Sequence, residues 1–395
     1  MKIYRVGGAV RDALLGLPPG DTDWVVVGAT PERMAELGFT PVGRDFPVFL
    51  HPETKEEYAL ARTERKTARG YQGFVFNCSP DVTLEEDLAR RDLTINAIAQ
   101  AEDGTLVDPF GGQRDIEARV LRHVSDAFAE DPVRVLRLAR FAARFPDFSV
   151  APETMALMRR MVQSGEVDAL VPERSWQEIA RGLMTSKPSR MFSVLRECGA
   201  LARILPELDA LADGDGFARA LRAVDRAADA DEPLEVRFAA LCARIAPQPV
   251  PVIEAIAARL RAPNACRDLA VLVAREHDAI VGSLALAPDE LAGLVKRLDL
   301  GRRPERLEPV LAAVRASLSA EQREAIDDFP QADWLRRVAR AACAIDAGRI
   351  AAAVPDPAQI PARLQEARAA AIAALGRPDG AGDDPSRPAA GERGA

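Results

Sequence analysis

Residues 6–28 read VGGAVRDALLGLPPGDTDWVVVG. An apolar run, Ile3 to Val6, breaks at Gly7-Gly8 and continues as a helix over Ala9 to Leu15. A Pro/Gly turn follows, and a second apolar run, Trp24 to Val27, is entered through Asp21 and Asp23. Residues two apart in an extended strand point to one face, so both carboxylates can reach a single metal ion. Gly7-Gly8 lets bare backbone N–H groups approach a phosphate. Arg11, one turn into the helix, adds a guanidinium suited to bidentate phosphate contacts. Each feature alone is commonly a turn or a solvated loop. Neither G-x-G-x-x-G nor G-x-x-x-x-G-K-[ST] occurs around Gly7. The joint occurrence of cradle, cation and carboxylate pair in one strand–helix–strand unit points to phosphate and metal chemistry.

The 395 residues predict two or three domains. A content of 48% hydrophobic and 28% charged residues is that of an ordinary globular protein. No run of eighteen apolar residues and no signal-peptide core are present, so the expected location is cytoplasmic, away from the membrane. Five scattered cysteines without C-x-x-C spacing indicate neither a disulfide framework nor a zinc knuckle. The net charge of −8 excludes a diffuse nucleic-acid coat. Between Arg134 and Arg203, however, twelve basic residues face seven acidic ones. That local excess is a usable footprint for a phosphate backbone.

Up to about residue 125, short β-like runs (Val25 to Gly28, Val48 to His51, Tyr58 to Ala61, Leu106 to Asp108, Val120 to His123) alternate with short helices, an α+β pattern. Thr63 to Asn77 reads as a long polar and Gly-rich loop carrying Tyr71, Phe74 and Phe76. Thr83 and Glu86 form a capping box that starts a helix toward Arg90. Asp92, Thr94 and Asn96 could reach a ribose hydroxyl if they line a cleft. From Asp131 onward the spacing is helical, with Val135, Leu138, Ala139 and Ala142 on one face. Asp131 and Arg134 lie side by side at i, i+3, and Arg134, Arg137, Arg140 and Arg144 form a cationic ridge that calls for a matching anion. The tail, residues 377–395, has no apolar face and reads as disordered.

GGAVRD, DTDW, RRDLTINA and EDPVRVLRLARFAARF, in that order, together resemble the class II tRNA nucleotidyltransferases, the CCA-adding enzymes, of the bacterial branch. The resemblance runs from Met1 to about Pro206, including DFPVFLHP and EEYALARTERK, and returns at RAPNACRDLAVLVAREHDAI, residues 261–280. It implies a polymerase-β-like nucleotidyltransferase head with a mixed sheet over residues 1–125, a helical neck and body over 126–206, and a helical C-terminal region over 207–376. It implies that Gly8 and Arg11 hold the triphosphate, that Asp21 and Asp23 hold Mg²⁺, and that Glu57 is the third carboxylate. Arg91, Arg137 and Arg140 would bind ATP or CTP, Asp92 and Asn96 would sit near the ribose, and Asp131 and Arg134 would read the base. A carboxylate that only accepts and a guanidinium that only donates match cytosine and adenine, and oppose uracil and guanine. The loop around Arg69 to Phe74 would take part in the switch from CTP to ATP.

The expected function is thus template-independent addition of CCA to the tRNA acceptor end from CTP and ATP by two-metal phosphoryl transfer, as a monomer or homodimer. Poly(A) polymerase of the same superfamily and an A-adding-only enzyme are the alternatives. Where the branch carries a His-Asp metal hydrolase motif, Val236 to Cys242 is followed by Ala243-Arg244. His277-Asp278 lies in a later helix without a neighbouring His, and is read as structural, in a degenerate version of that domain.

Overall fold

The computed structural model describes residues 1–376 apart from 19, 43–47, 67–73, 213, 320–321 and 323–328. Its described chain forms two units, Met1–Phe217 with Ala258–Ala262, and Ala218–Ala257 with the chain from Pro263 onward.

The first unit opens with β1 (Lys2–Val6), α1 (Gly8–Leu14), β2 (Asp23–Val27), α2 (Pro31–Glu36), β3 (Thr40–Val42), β4 (Val48–Leu50) and β5 (Glu57–Leu60). There follow β6 (Thr63–Lys66), β7 (Phe74–Asn77), α3 (Leu84–Ala89), β8 (Ala99–Ala101), β9 (Leu106–Val107), α4 (Gly112–Glu117) and β10 (Val120–Leu121). Seven strands make one mixed sheet in the order β3-β4-β5-β2-β1-β8-β9. β2 is antiparallel to β1 and parallel to β5. It is buried on both faces, which is why its sequence is continuously apolar rather than alternating. Val25 joins Val6, Leu84, Leu88 and Ala97 on one side, whereas Val26 joins Met34, Phe49, Tyr58 and Leu60 on the other. α3 thereby covers one face and α2 the other. The Thr83–Glu86 capping box is present.

The expected loop from Thr63 to Asn77 is instead a β-ribbon at its roots, β6 pairing antiparallel with β7. Its polar composition hid the strands because a two-stranded ribbon need not bury an apolar face. Arg69 and Tyr71 lie outside the described residues, as does the tail from 377 onward.

The helical part of this unit contains α5 (Val133–Arg144), α6 (Pro152–Gln163), α7 (Pro172–Leu183), α8 (Ser189–Glu197), α9 (Leu201–Ile204) and α10 (Pro206–Asp209), with a short strand β11 (Ser149–Val150) beside β10. The predicted face of α5, Val135, Leu138, Ala139 and Ala142, is fully buried. α7 and α8 pack against α5.

α11 (Gly216–Asp229) and α13 (Pro249–Leu260) flank α12 (Leu234–Cys242) in the chain. The second unit is helical throughout its described residues: α14 (Asn264–Val281), α15 (Pro288–Arg297), α16 (Leu307–Ser317), α17 (Pro330–Cys343), α18 (Ala347–Ala353) and α19 (Ile360–Ala373) follow α12. α12, buried from Val236 to Cys242, packs on α14 and α16, while α15 and α17 pack on α19. His277 is buried between these helices. Its Nε2 lies 3.1 Å from Ser317 Oγ, whose hydroxyl donates to the Val314 carbonyl, and its Nδ1 lies 3.0 Å from Asp278 Oδ1. Its Nδ1 lies 3.1 Å from Arg244 Nη1, and Arg244 also donates to Asp278 at 2.5 Å. Burial, reinforced by Arg244, holds the imidazole pKa below its ordinary value. A guanidinium therefore stands beside the His-Asp dipeptide. No helix among the described residues is long and apolar enough to cross a membrane.

Candidate functional site

A cleft of about 700 Å³ in the first unit gathers nearly every residue singled out from the sequence: Gly8, Arg11, Asp21, Asp23, Glu57, Arg91, Asp92, Asn96, Asp131, Arg134, Arg137 and Arg140. Its lining carries nine arginines and five carboxylates, so it suits a polyanion and keeps a separate acidic corner.

That corner is set by strand register. Asp23 begins β2, and Glu57, at the head of the parallel neighbour β5, is its register partner. Asp21, Asp23 and Glu57 are all exposed to the cleft. Enclosure in the cleft raises the Asp23 carboxyl above its ordinary pKa, with Asp21 adding to the effect and Arg91 opposing it. No three His, Cys, Asp or Glu side chains among the described residues come together as a set that could hold a metal ion. An open carboxylate pair is nonetheless the donor set that suits Mg²⁺, which retains water and recruits phosphate oxygens instead of filling its shell from protein.

Gly7 joins β1 to α1 at φ 68°, ψ −130°, a conformation L side chains rarely adopt. A Cβ there would also lie 3.0 Å from Arg91 Nη1. Arg91 is held by the fully buried Asp87, which also anchors Arg90 and accepts from the Arg62 backbone N–H. The Nε of Arg91 is buried and has no hydrogen-bond partner among the described residues.

Asp92 and Asn96 are less open to a ribose than expected. Asp92 accepts from Arg137 Nε at 2.8 Å, from Asn96 Nδ2 at 3.0 Å and from the Leu93 N–H at 2.9 Å. Burial works to raise its pKa, but Arg137, Asn96 and Arg134 overcome this and hold the carboxyl well below the usual range. Asn96 in turn accepts from Arg11 Nη1 at 2.5 Å. These two side chains tie α1 to α5 across the cleft wall.

The cationic ridge finds much of its matching anion inside the protein. Arg140 donates Nε to Glu178 of α7 at 2.5 Å, Arg144 donates to Asp12 at 2.9 Å, and Asp12 also pairs with Arg11. The ridge read from local spacing therefore overstated the uncompensated charge, because its counterions arrive from elements remote in sequence. Asp131, expected beside Arg134, accepts both terminal nitrogens of Arg174, at 3.2 and 2.7 Å, and the Val133 N–H at 3.1 Å. Arg134 is buried and donates to the Ala127 carbonyl at 3.0 Å. Asp12, Asp87, Arg174 and Glu178 were not anticipated. The i, i+4 spacing of Arg174 and Glu178 on α7 hinted at a shared face, but nothing local names the helix they meet.

The chain is similar to known proteins along almost its whole length. Residues 3–122 match the family model of the poly A polymerase head domain, and residues 147–211 that of the probable RNA and SrmB-binding site of polymerase A. The multifunctional CCA protein of Chromobacterium violaceum is 58% identical over 94% of this chain and 98% of its own length. That of Cupriavidus taiwanensis is 55% identical over 94% and 98%. Among solved structures, the Bacillus stearothermophilus CCA-adding enzyme in complex with CTP is 27% identical, with a TM-score of 0.65 over 94% of this chain and 89% of that one. The Thermotoga maritima CCA-adding enzyme complexed with tRNA, 20% identical, shares the fold with a TM-score of 0.65 over 95% and 91%. Similarity of this depth along almost the whole chain means that the protein belongs to the CCA-adding tRNA nucleotidyltransferases, the family of the multifunctional CCA proteins.

Proposed function

We propose that the cleft of the first unit is where CTP and ATP are bound and transferred to the 3′ end of tRNA. The observation that carries this reading is the meeting, in one cavity of about 700 Å³, of an exposed carboxylate corner and a wall of arginines. The nucleotide's triphosphate lies along that wall, with Gly8 giving close backbone approach and Arg91, Arg137 and Arg140 donating to its oxygens. Arg11 anchors the floor. Asp131 keeps an acceptor for the exocyclic amine, and Arg134 supplies the donor for the ring nitrogen, of cytosine or adenine. Asp92 and Asn96 contribute by holding Arg137 and Arg11 more than by reaching the sugar.

The tRNA 3′-hydroxyl attacks the α-phosphate in line, and pyrophosphate departs along the arginine wall. Asp21 and Asp23, with Glu57 on the neighbouring strand, would hold Mg²⁺, which when bound supplies activation of the hydroxyl and neutralisation of the leaving pyrophosphate. Residues 1–125 serve as the catalytic head, 126–206 as the helical part that reads the base and meets tRNA, and 207–376 as a helical C-terminal region. The enzyme works in the cytoplasm, as a monomer or homodimer.

The test is single-nucleotide incorporation into tRNA transcripts ending at the discriminator base, at C and at CC, each offered one of the four nucleoside triphosphates with Mg²⁺. Two C additions followed by one A and a stop are expected. Long A tracts would mean poly(A) polymerase instead, and A added only to the CC end would mean an A-adding enzyme.

A further inference from the structure

Phe141 on α5 and Phe145, the residue capping that helix's C-terminus, present nearly parallel rings, 2° between planes and 6.3 Å between centroids. Three guanidinium groups of like charge rest on them. The Arg11 carbon lies 5.0 Å from the Phe141 centroid and 5.3 Å from that of Phe145. Arg140 lies 4.5 Å from Phe141, and Arg144 5.2 Å from Phe145. Arg137 reaches the rim of Phe141 at 6.0 Å. Both rings are buried, yet Phe141 forms part of the cleft lining.

We propose that Phe141 and Phe145 are positioning residues for nucleotide binding, an aromatic platform that holds the arginine cluster by its ring faces and leaves the terminal N–H donors of Arg140 for phosphate. The proposal rests on the assignment of Arg140 to the triphosphate. Crowding these cations is unfavourable by itself, and burial works against the charge on Arg11 and Arg140. Two carboxylates, Asp12 and Glu178, offset part of this. More carboxylates would offset the rest, but each would take guanidinium donors and place negative charge where a triphosphate must lie. A ring face attracts a guanidinium through its quadrupole without accepting from the N–H groups in its plane. Arg140 shows the result: its Nε donates to Glu178, while its two terminal nitrogens, the fork that matches phosphate, have no hydrogen-bond partner among the described residues.

An aliphatic core residue could fill the same volume, so the ring's electrons are what the test must address. Phenylalanine analogues carrying one, two, three and five fluorines are introduced at position 141, and separately at 145, of the full-length protein. Fluorine withdraws π density while adding apolar surface, so a purely packing role is preserved or strengthened. KM for CTP and for ATP should rise stepwise with fluorination, reaching roughly tenfold, the worth of a desolvated cation–π contact. The kcat and the KM for tRNA should stay within about twofold, and the melting temperature should not fall. Phe141→Leu should raise the nucleotide KM to a similar degree. A flat KM across the fluorinated series, while Arg140→Ala still raises it, would overturn the platform and leave the rings as core filling. An Arg140→Ala enzyme with unchanged nucleotide KM would instead overturn the triphosphate assignment beneath it.

Discussion

Asp21 and Asp23 stand two residues apart at the entry to β2, and enclosure in the cleft raises the Asp23 carboxyl above its ordinary pKa. If they hold the catalytic ion, Asp21→Ala should cut transfer by roughly a thousandfold or more, the order that several kcal/mol of lost charge stabilisation implies. Gel-shift affinity for tRNA and thermal stability should barely move, and transfer at the wild-type rate would remove the assignment. Arg134→Ala should lower the preference for C and A over U and G by about ten- to a hundredfold, read from misincorporation on a CC-ending transcript. Asp92 offers a pH test. Its folded-state pKa is depressed, so the stability it contributes is present above the unfolded carboxylate pKa of about 4 and is lost as pH falls through the folded value. Asp92→Asn should therefore cost about 2–3 kcal/mol in denaturant unfolding at pH 7, and its deficit should shrink below about pH 4. A deficit independent of pH would mean the carboxylate charge is not what matters.

Among the elements, α4 shows how closely the head is packed around the site. A Cβ on Gly112 would fall 2.2 Å from the Thr94 carbonyl oxygen and 2.8 Å from Ile98, backbone and core that cannot yield. Gly112→Ala should destabilise by about 3 kcal/mol or more and disturb the Thr94–Asn96 turn that carries Asn96 into the cleft. At Gly182 on α7 the obstruction, also 2.2 Å away, is the Met191 sulfur. Thioether side chains adapt, so Gly182→Ala should cost distinctly less. Parallel urea melts of the two variants check the contrast, and equal losses would contradict it. At this scale local sequence was legible where periodicity and caps speak: α1, α3 and the buried face of α5 lie where spacing placed them. β3, β8 and the β6–β7 ribbon were missed because Pro41, the Ala-Gln-Ala of β8 and the charged TERK of β6 carry little strand propensity, and β7 follows a Gly-rich polar stretch.

Over the whole molecule, the helices of the second unit frame a buried His277 whose neighbours are Ser317, Asp278 and Arg244. A fixed guanidinium repels a divalent cation, so the purified protein should show no metal-dependent hydrolysis of 2′,3′-cyclic AMP that depends on His277. Such activity, lost on His277→Ala, would reverse this reading. Residue order alone carried the family: a Gly-Gly break, paired aspartates and arginines at fixed spacing are local patterns, legible without knowing which remote elements they meet. The partners of those side chains were decided only by the tertiary structure. Asp12 reaches Arg144, Asp92 reaches Arg137, Asp131 takes Arg174 and Glu178 takes Arg140. Each pair joins different elements, and Coulomb attraction and burial act on distance in space, which a linear sequence does not record. That is why a ridge of arginines legible at once as cationic became, once folded, a partly neutralised and aromatic-backed wall in which Arg140 keeps its terminal nitrogens without a hydrogen-bond partner among the described residues.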